Sequence, residues 1–245
     1  MKVKNKGSAT RILKKIAPNL VLSVLAMSVG ILCLSPSKNE ILTEGLQSQV
    51  YYSAGESGAG ISLMFNVYSG TDEVYQILEI LEAFEAKATF FIGGCWADDN
   101  TACLKAIFLA GHEIGNHGYF HKDHDKLNLL QNQKEISTCN RFIELTIGIA
   151  PTLFAPPSGA YGKATISACE ALNMKTILWS KDTIDWRDKD EGKIYTRATK
   201  NAVKGDFVLM HPTKATVGAL DDILKYYQTL NLQLVTVSEN LQELV

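Results

Sequence analysis

The sequence predicts an α/β chain folded as a parallel (β/α) barrel of about seven strands, and three observations predict it. From residue 61 onward, short apolar runs alternate with amphipathic stretches at helical spacing. That alternation is the pattern of a parallel sheet with helices outside. No glycine-rich phosphate loop is present, which favours a closed barrel over a dinucleotide-binding sheet. Finally, Asn66, His117, Pro156, Asp185 and His211 all fall at or just after strand ends, where parallel barrels carry their sites.

The elements follow in order. Ile61 to Val67 is an apolar run suited to a buried strand. Thr71 to Glu85 repeats Val74, Ile77, Leu78, Leu81 and Phe84 at helical spacing, with Thr71 and Asp72 placed to cap its start. Ala88 to Ile92 is a second buried strand, stopped by Gly93-Gly94. Asn100 to Ala110 is helical and ends at Gly111. His112 to Gly115 is a short strand, and Asn132 to Thr146 an amphipathic helix. Thr152 to Ala155 is a strand ended by Pro156-Pro157. Lys163 to Leu172 is a helix, Lys175 to Trp179 a strand, and Ile194 to Val203 a helix closed by Gly205. Phe207 to Met210 is a strand, Val217 to Leu230 a helix, Gln233 to Val237 a strand, and Ser238 opens a closing helix.

The amino terminus differs in kind. Lys2, Lys4, Lys6, Arg11, Lys14 and Lys15 form a basic run, and Ile16 to Leu34 carries no charge. Nineteen helical residues span roughly 30 Å, about one hydrocarbon core. Residues 1–37 therefore predict a cytoplasmic basic segment and an uncleaved anchor helix, with a cleaved secretory signal as the alternative. Cys33-Leu34-Ser35 is the best cleavage site and a poor one. Residues 38–60, rich in glycine and polar side chains, predict a linker, and residues 61–245 a domain outside the cytoplasmic membrane.

The 245 residues are 46% hydrophobic with a net charge of -2. That balance supports a sizeable core and indicates no nucleic-acid partner. Oligomeric state is not encoded in any readable pattern. Cys95, Cys103, Cys139 and Cys169 predict either disulfides, which the compartment permits, or buried free thiols.

Three of the five histidines, His117, His121 and His124, crowd into GHEIGNHGYFHKDHD (Gly111 to Asp125). His117 and His121 are four apart, which on a helix or helical turn puts both imidazoles on one face. Two imidazoles there can hold one divalent metal, zinc being the usual occupant.

Taken together, the strands and histidines resemble the polysaccharide deacetylase family, the chitooligosaccharide deacetylase homology domain. KATFFIGG (Lys87 to Gly94), GHEIGNHGYFH, APPSGAY, DTIDW and VLMH carry the resemblance, which runs from Ile61 to about Leu241. It implies a distorted parallel (β/α) barrel that removes acetyl groups from N-acetylglucosamine polymers, peptidoglycan or chitin-like, with one divalent metal. It further implies that His117 and His121 are metal ligands. His211 would be the general acid that protonates the departing amine, and Asp185 the carboxylate that orients it. Leu209 and Trp186 would form the pocket for the acetyl methyl, and the Pro157-Ser158 turn would supply a backbone N–H to the oxyanion.

Two departures stand against that pattern. The family's first motif carries two aspartates, a general base and a third metal ligand. Here they are Asn66 and Val67, with the next glycine delayed to Gly70, a longer form that resembles sporulation-associated deacetylases. The arginine that pairs with the base is Ala155. An amide cannot take the proton and an isopropyl group cannot bind a metal. His124, Asp72 or Glu73 stands as a substitute ligand, and Asp182 as a substitute orienting carboxylate. The resemblance thus predicts either a metal-dependent amide hydrolase or a degenerate deacetylase that binds glycan with little turnover.

Overall fold

A computed structural model gives the architecture, and it describes residues 50–241. Eight parallel strands form one curled sheet: β1 (Val50–Tyr51), β2 (Ser62–Val67), β3 (Thr89–Ile92), β4 (Glu113–Asn116), β5 (Leu153–Phe154), β6 (Lys175–Ile177), β7 (Lys181–Asp182) and β8 (Phe207–Met210). Their order is β1-β6-β5-β4-β3-β2-β8-β7. β1 and β7 are edges, so the barrel is open rather than closed. An isolated antiparallel bridge from Ser53 to Asp206 narrows the gap.

The helices are α1 (Thr71–Ala83), α2 (Gly94–Asp99), α3 (Thr101–Leu109), α4 (Leu129–Ile147), α5 (Lys163–Ala171), α6 (Asp185–Asp188), α7 (Glu191–Thr199), α8 (Lys214–Thr229) and α9 (Val237–Leu241). Side chains alternate across each strand. Leu63, Phe65 and Val67 of β2 join Phe90, Ile92, Val208 and Met210 in a core shared with Ile77, Leu81, Ile107 and Ile223 of the helices. Met64, Phe91, Ala155, Ile177 and Phe207 fill the inner face. Local chemistry sets the helix ends. Asn128 and Gln131 make a reciprocal capping box at the start of α4, and Gly148 ends it in the left-handed region, φ 81°. The Thr213 side chain caps α8 by accepting the Thr216 N–H.

Several expectations need correction. The linker assigned to residues 38–60 is too long. Val50–Tyr51 pairs in register with Thr176–Ile177, because the β6 edge needs a partner for its backbone groups. Gln233 to Val237 is not a strand. It makes a single bridge, Leu234 to Ile61, and Val237 already begins α9. β7 is absent from the expected strands, since two residues carry no periodicity. The start of α1 is capped by Gly70 at φ 76° rather than by Thr71 or Asp72. All four described cysteines are free thiols. No described helix is long and apolar enough to cross a membrane. The segment from Ile16 to Leu34 lies outside the described residues.

Candidate active site

The strands run parallel, so their carboxyl ends meet at one mouth. A cleft of about 540 Å³ opens there, lined among others by Asn66, His117, His121, Ser158, Leu209 and His211. Residues far apart in sequence converge there because they end, or closely follow, β2, β4, β5 and β8.

His117 and His121 do come together, with ring centroids 5.0 Å apart. They are not on a helix. Gly118 and His121 both take positive φ, 73° and 52°, and the segment after β4 is a loop. Side chains hold that loop in place. Asn116 Oδ1 accepts the Gly118 N–H at 2.7 Å while its Nδ2 donates to Ile136 O at 2.8 Å. Buried Glu135 of α4 accepts the Phe120 N–H at 2.9 Å and pairs with Lys122 at 2.8 Å. The His117 Nδ1–H donates to Ala155 O at 2.7 Å, which leaves Nε2 with its lone pair free. Burial, then the neighbouring His121 ring, pushes the His117 pKa down to about 3. Burial lowers that of His121 as well. Both rings are neutral near pH 7, the form that can donate to a metal.

A third donor is missing. Among the described residues, no group of three or more His, Cys, Asp or Glu side chains is placed to hold a metal ion. Val67 lies in the sheet–helix core, on the face of β2 opposite Asn66. His124 is fully buried away from the cleft. Its Nδ1 bonds Asn132 Oδ1 at 2.6 Å and its ring packs on Phe154 at 4.8 Å. Asp72 is exposed in the first turn of α1, with Glu73 beside it. The residues present therefore do not compose the three-ligand set of a catalytic zinc site.

The second half of the site is fully built. Asp185, buried at the start of α6, accepts from four donors. Its Oδ1 takes the His211 Nδ1–H at 2.8 Å and the Trp186 N–H at 2.9 Å. Its Oδ2 takes the His211 N–H at 2.6 Å and the Thr216 hydroxyl at 2.6 Å. These bonds fix the tautomer of His211 and leave Nε2 for the cleft. Asp182 does not orient His211; its Oδ1 instead accepts the Ile184 N–H at 2.8 Å. Leu209 and Trp186 line the cleft beside this pair. Ser158 lines it too, held at φ 56° within the turn Pro157–Gly159, while Pro157 is buried beneath.

Asn66 stands where the base is expected. Only 4% of it is exposed, and its Oδ1 is buried without a hydrogen-bond partner. Ala155 is wholly buried against Met64, Phe91 and Ile177, with no room for an arginine. Four cleft residues escape the sequence reading: Tyr68, whose ring lies 4.6 Å from that of His121, and Ser69, Trp179 and Thr213. Tyr68 is findable, because it is two residues beyond Asn66 and so faces the same way. Thr216, the third partner of the dyad, escapes it as well, and no local signal marks it.

A parallel half-barrel whose strand ends carry two histidines and a His–Asp pair defines a class, and comparison with known proteins agrees. The chain belongs to the polysaccharide deacetylase family, whose model matches residues 55–177. Family members are hydrolases that act on N-acetyl amide bonds. The protein YlxY of Bacillus subtilis (strain 168) is 35% identical over 212 residues, 86% of this chain and 66% of that protein. A peptidoglycan-N-acetylglucosamine deacetylase of Bacillus cereus is 33% identical over 181 residues, 71% of this chain and 84% of the relative. The crystal structure of BA3943, a CE4 family pseudoenzyme from Bacillus anthracis, superposes with a TM-score of 0.77 at 32% identity, covering 80% of this chain and 70% of that one.

Proposed function

We propose that this chain acts on the N-acetyl groups of a cell-wall glycan and turns them over slowly. The observation that carries the reading is the Asp185–His211 pair opening onto the cleft. In this reading the acetyl methyl rests against Leu209 and Trp186, and the Ser158 backbone N–H steadies the carbonyl oxygen. His211 Nε2 delivers a proton to the departing sugar amine. Asp185 holds the ring in the donating orientation and stabilises the imidazolium before that transfer.

The other half of the reaction is impaired. Activating the attacking water calls for a base, and the Asn66 amide is not one. A positioned base is worth about 10²–10⁴ in rate, so hydrolysis should lag by that order. A second reading is favoured by Asn66, Val67 and Ala155 together: a glycan-binding module without turnover. In either reading the domain works outside the cytoplasmic membrane, held by the uncharged segment from Ile16 to Leu34 that follows the basic run. A reporter fused after Val245 should be accessible from outside; a cytoplasmic signal overturns that placement.

The test measures free amine released from N-acetylglucosamine oligomers alongside calorimetric binding of the same oligomers. Slow release that His211→Gln abolishes supports the hydrolase. Binding with no release in the unaltered protein supports the module. Neither binding nor release overturns both.

A further inference from the structure

Trp179 belongs to two surfaces. It lines the cleft, and it packs against the turn that carries Ser158, where a Cβ on Gly159 would stand 2.8 Å from its ring. Its chain neighbour Leu178 donates its N–H to Tyr51 O at 2.7 Å. The residue after Tyr51 is Tyr52, half exposed at 48%, and the Tyr52 hydroxyl meets the Tyr161 hydroxyl at 2.7 Å. That bond joins residues 109 apart, one beyond the end of β1 and the other shortly beyond Ser158. β1 and β6 are parallel neighbours, so Tyr52 and Trp179, which follow their carboxyl ends, emerge at the same mouth as the cleft.

We infer that Tyr52, Tyr161 and Trp179 form a sugar-binding subsite that continues the cleft along the glycan chain. The inference rests on the reading of the cleft as a site for N-acetylated glycan. Each tyrosine pairs a flat apolar ring with a polar tip, which suits the face of a pyranose ring with hydroxyls at its rim. Rigid aromatic rings also lose little conformational freedom when a ligand covers them. The mutual hydroxyl bond pre-sets both rings, so less ordering remains to be done on binding. Trp186, which lines the same cleft as Trp179, is also exposed, at 57%. More exposed aromatic surface than one sugar ring can cover fits a glycan chain better than a single sugar. Tyr52 directly follows the β1 edge strand, which gives that strand a role in placing the subsite beyond covering β6.

The experiment compares binding of N-acetylglucosamine dimer and pentamer by calorimetry. The protein is used as it stands, then as Tyr161→Ala, Tyr52→Ala and Tyr161→Phe. Roughly tenfold tighter binding of the pentamer, about one added contact's worth, is expected in the unaltered chain. Both alanine variants should lose that gain while keeping the dimer affinity. Tyr161→Phe retains the ring and should retain most of the gain, which separates stacking from mere loss of the edge bond. A gain that survives both alanine variants overturns the subsite and leaves the cleft reading intact. So does dimer binding with no gain at all. Failure of both oligomers to bind overturns the subsite together with the reading on which it rests.

Discussion

Asn66 and Val67 are neighbours in β2, yet they face opposite sides of the sheet. Asn66 looks into the cleft with a buried, unpartnered amide oxygen, and Val67 is wholly buried against the outer helices. The family's two aspartates therefore have unequal counterparts here. One position still addresses the site, and the other has become part of the core.

Restoring a carboxylate at Val67 should consequently harm the fold before it helps any metal. Val67→Asp buries a charge among Leu63, Phe65 and Ile92 with no partner. We expect a loss of about 3 kcal/mol or more in unfolding free energy at pH 7, read by urea titration. The loss should shrink in acid, where the carboxyl is neutral. An unchanged midpoint would mean that the end of β2 turns to bring residue 67 into the cleft.

The histidine pair should hold zinc poorly. Two neutral imidazoles without an anionic third donor leave the ion under-coordinated. Protein dialysed against zinc and then passed through a desalting column should retain well under one equivalent. His117→Ala with His121→Ala should retain none. A full equivalent that survives desalting would require a donor not recognised in the cleft.

Asp185 is expected to be structural as well as functional. Its removal leaves two backbone N–H groups without an acceptor and takes one of the two partners of the buried Thr216 hydroxyl, which keeps Thr213 Oγ1 at 2.8 Å. Asp185→Ala should cost about 3 kcal/mol of stability, the range for orphaned buried donors near a lost charge. Thr216→Val, which removes one of the four donors together with the bond to the Thr213 hydroxyl, should cost less. Equal costs would argue that Asp185 matters only through Thr216.

Acid should destabilise the fold through His112. Its buried Nδ1 accepts the Ala88 N–H at 3.3 Å, and burial, then Lys87, pushes its pKa down to about 4. The unfolded chain takes up that proton near pH 6.5, the folded chain only near 4. Stability is thus full above about 6.5 and declines as pH falls toward 4. Urea midpoints measured from about pH 7.5 down to about 4.5 should fall, and His112→Gln should reduce the slope in part, since buried His117 acts in the same sense. An identical slope in the variant would assign the effect elsewhere.

Much of the fold is legible in the sequence. Strands with two buried faces announce themselves: Ile61 to Val67, Ala88 to Ile92 and Phe207 to Met210 are readable to within a residue or so. Two-residue strands such as β1 and β7 exist only because a neighbour offers hydrogen bonds, so no local pattern marks them. The sequence implies that His117 and His121 lie close together at the end of a strand, and they do. The helical turn that the four-residue spacing suggests is not formed, because Gly118 and His121 take positive φ and Asn116 and Glu135 hold a loop. Asp185 and His211 become readable only through the family's order of motifs, since 26 residues separate them.

If the cleft keeps the proton-donating half of a deacetylase and lacks the half that activates water, the deficit should appear in the rate and not in binding. Amine release from N-acetylglucosamine pentamer at about pH 7 with added zinc, measured side by side with the Bacillus cereus relative, decides this. The unaltered chain should bind the pentamer yet release amine at least about 10²-fold more slowly. Asn66→Asp alone should recover little of the gap, because Ala155 offers it no cationic partner. A rate equal to that of the relative, unchanged by Asn66→Ala, would contradict this division of the site.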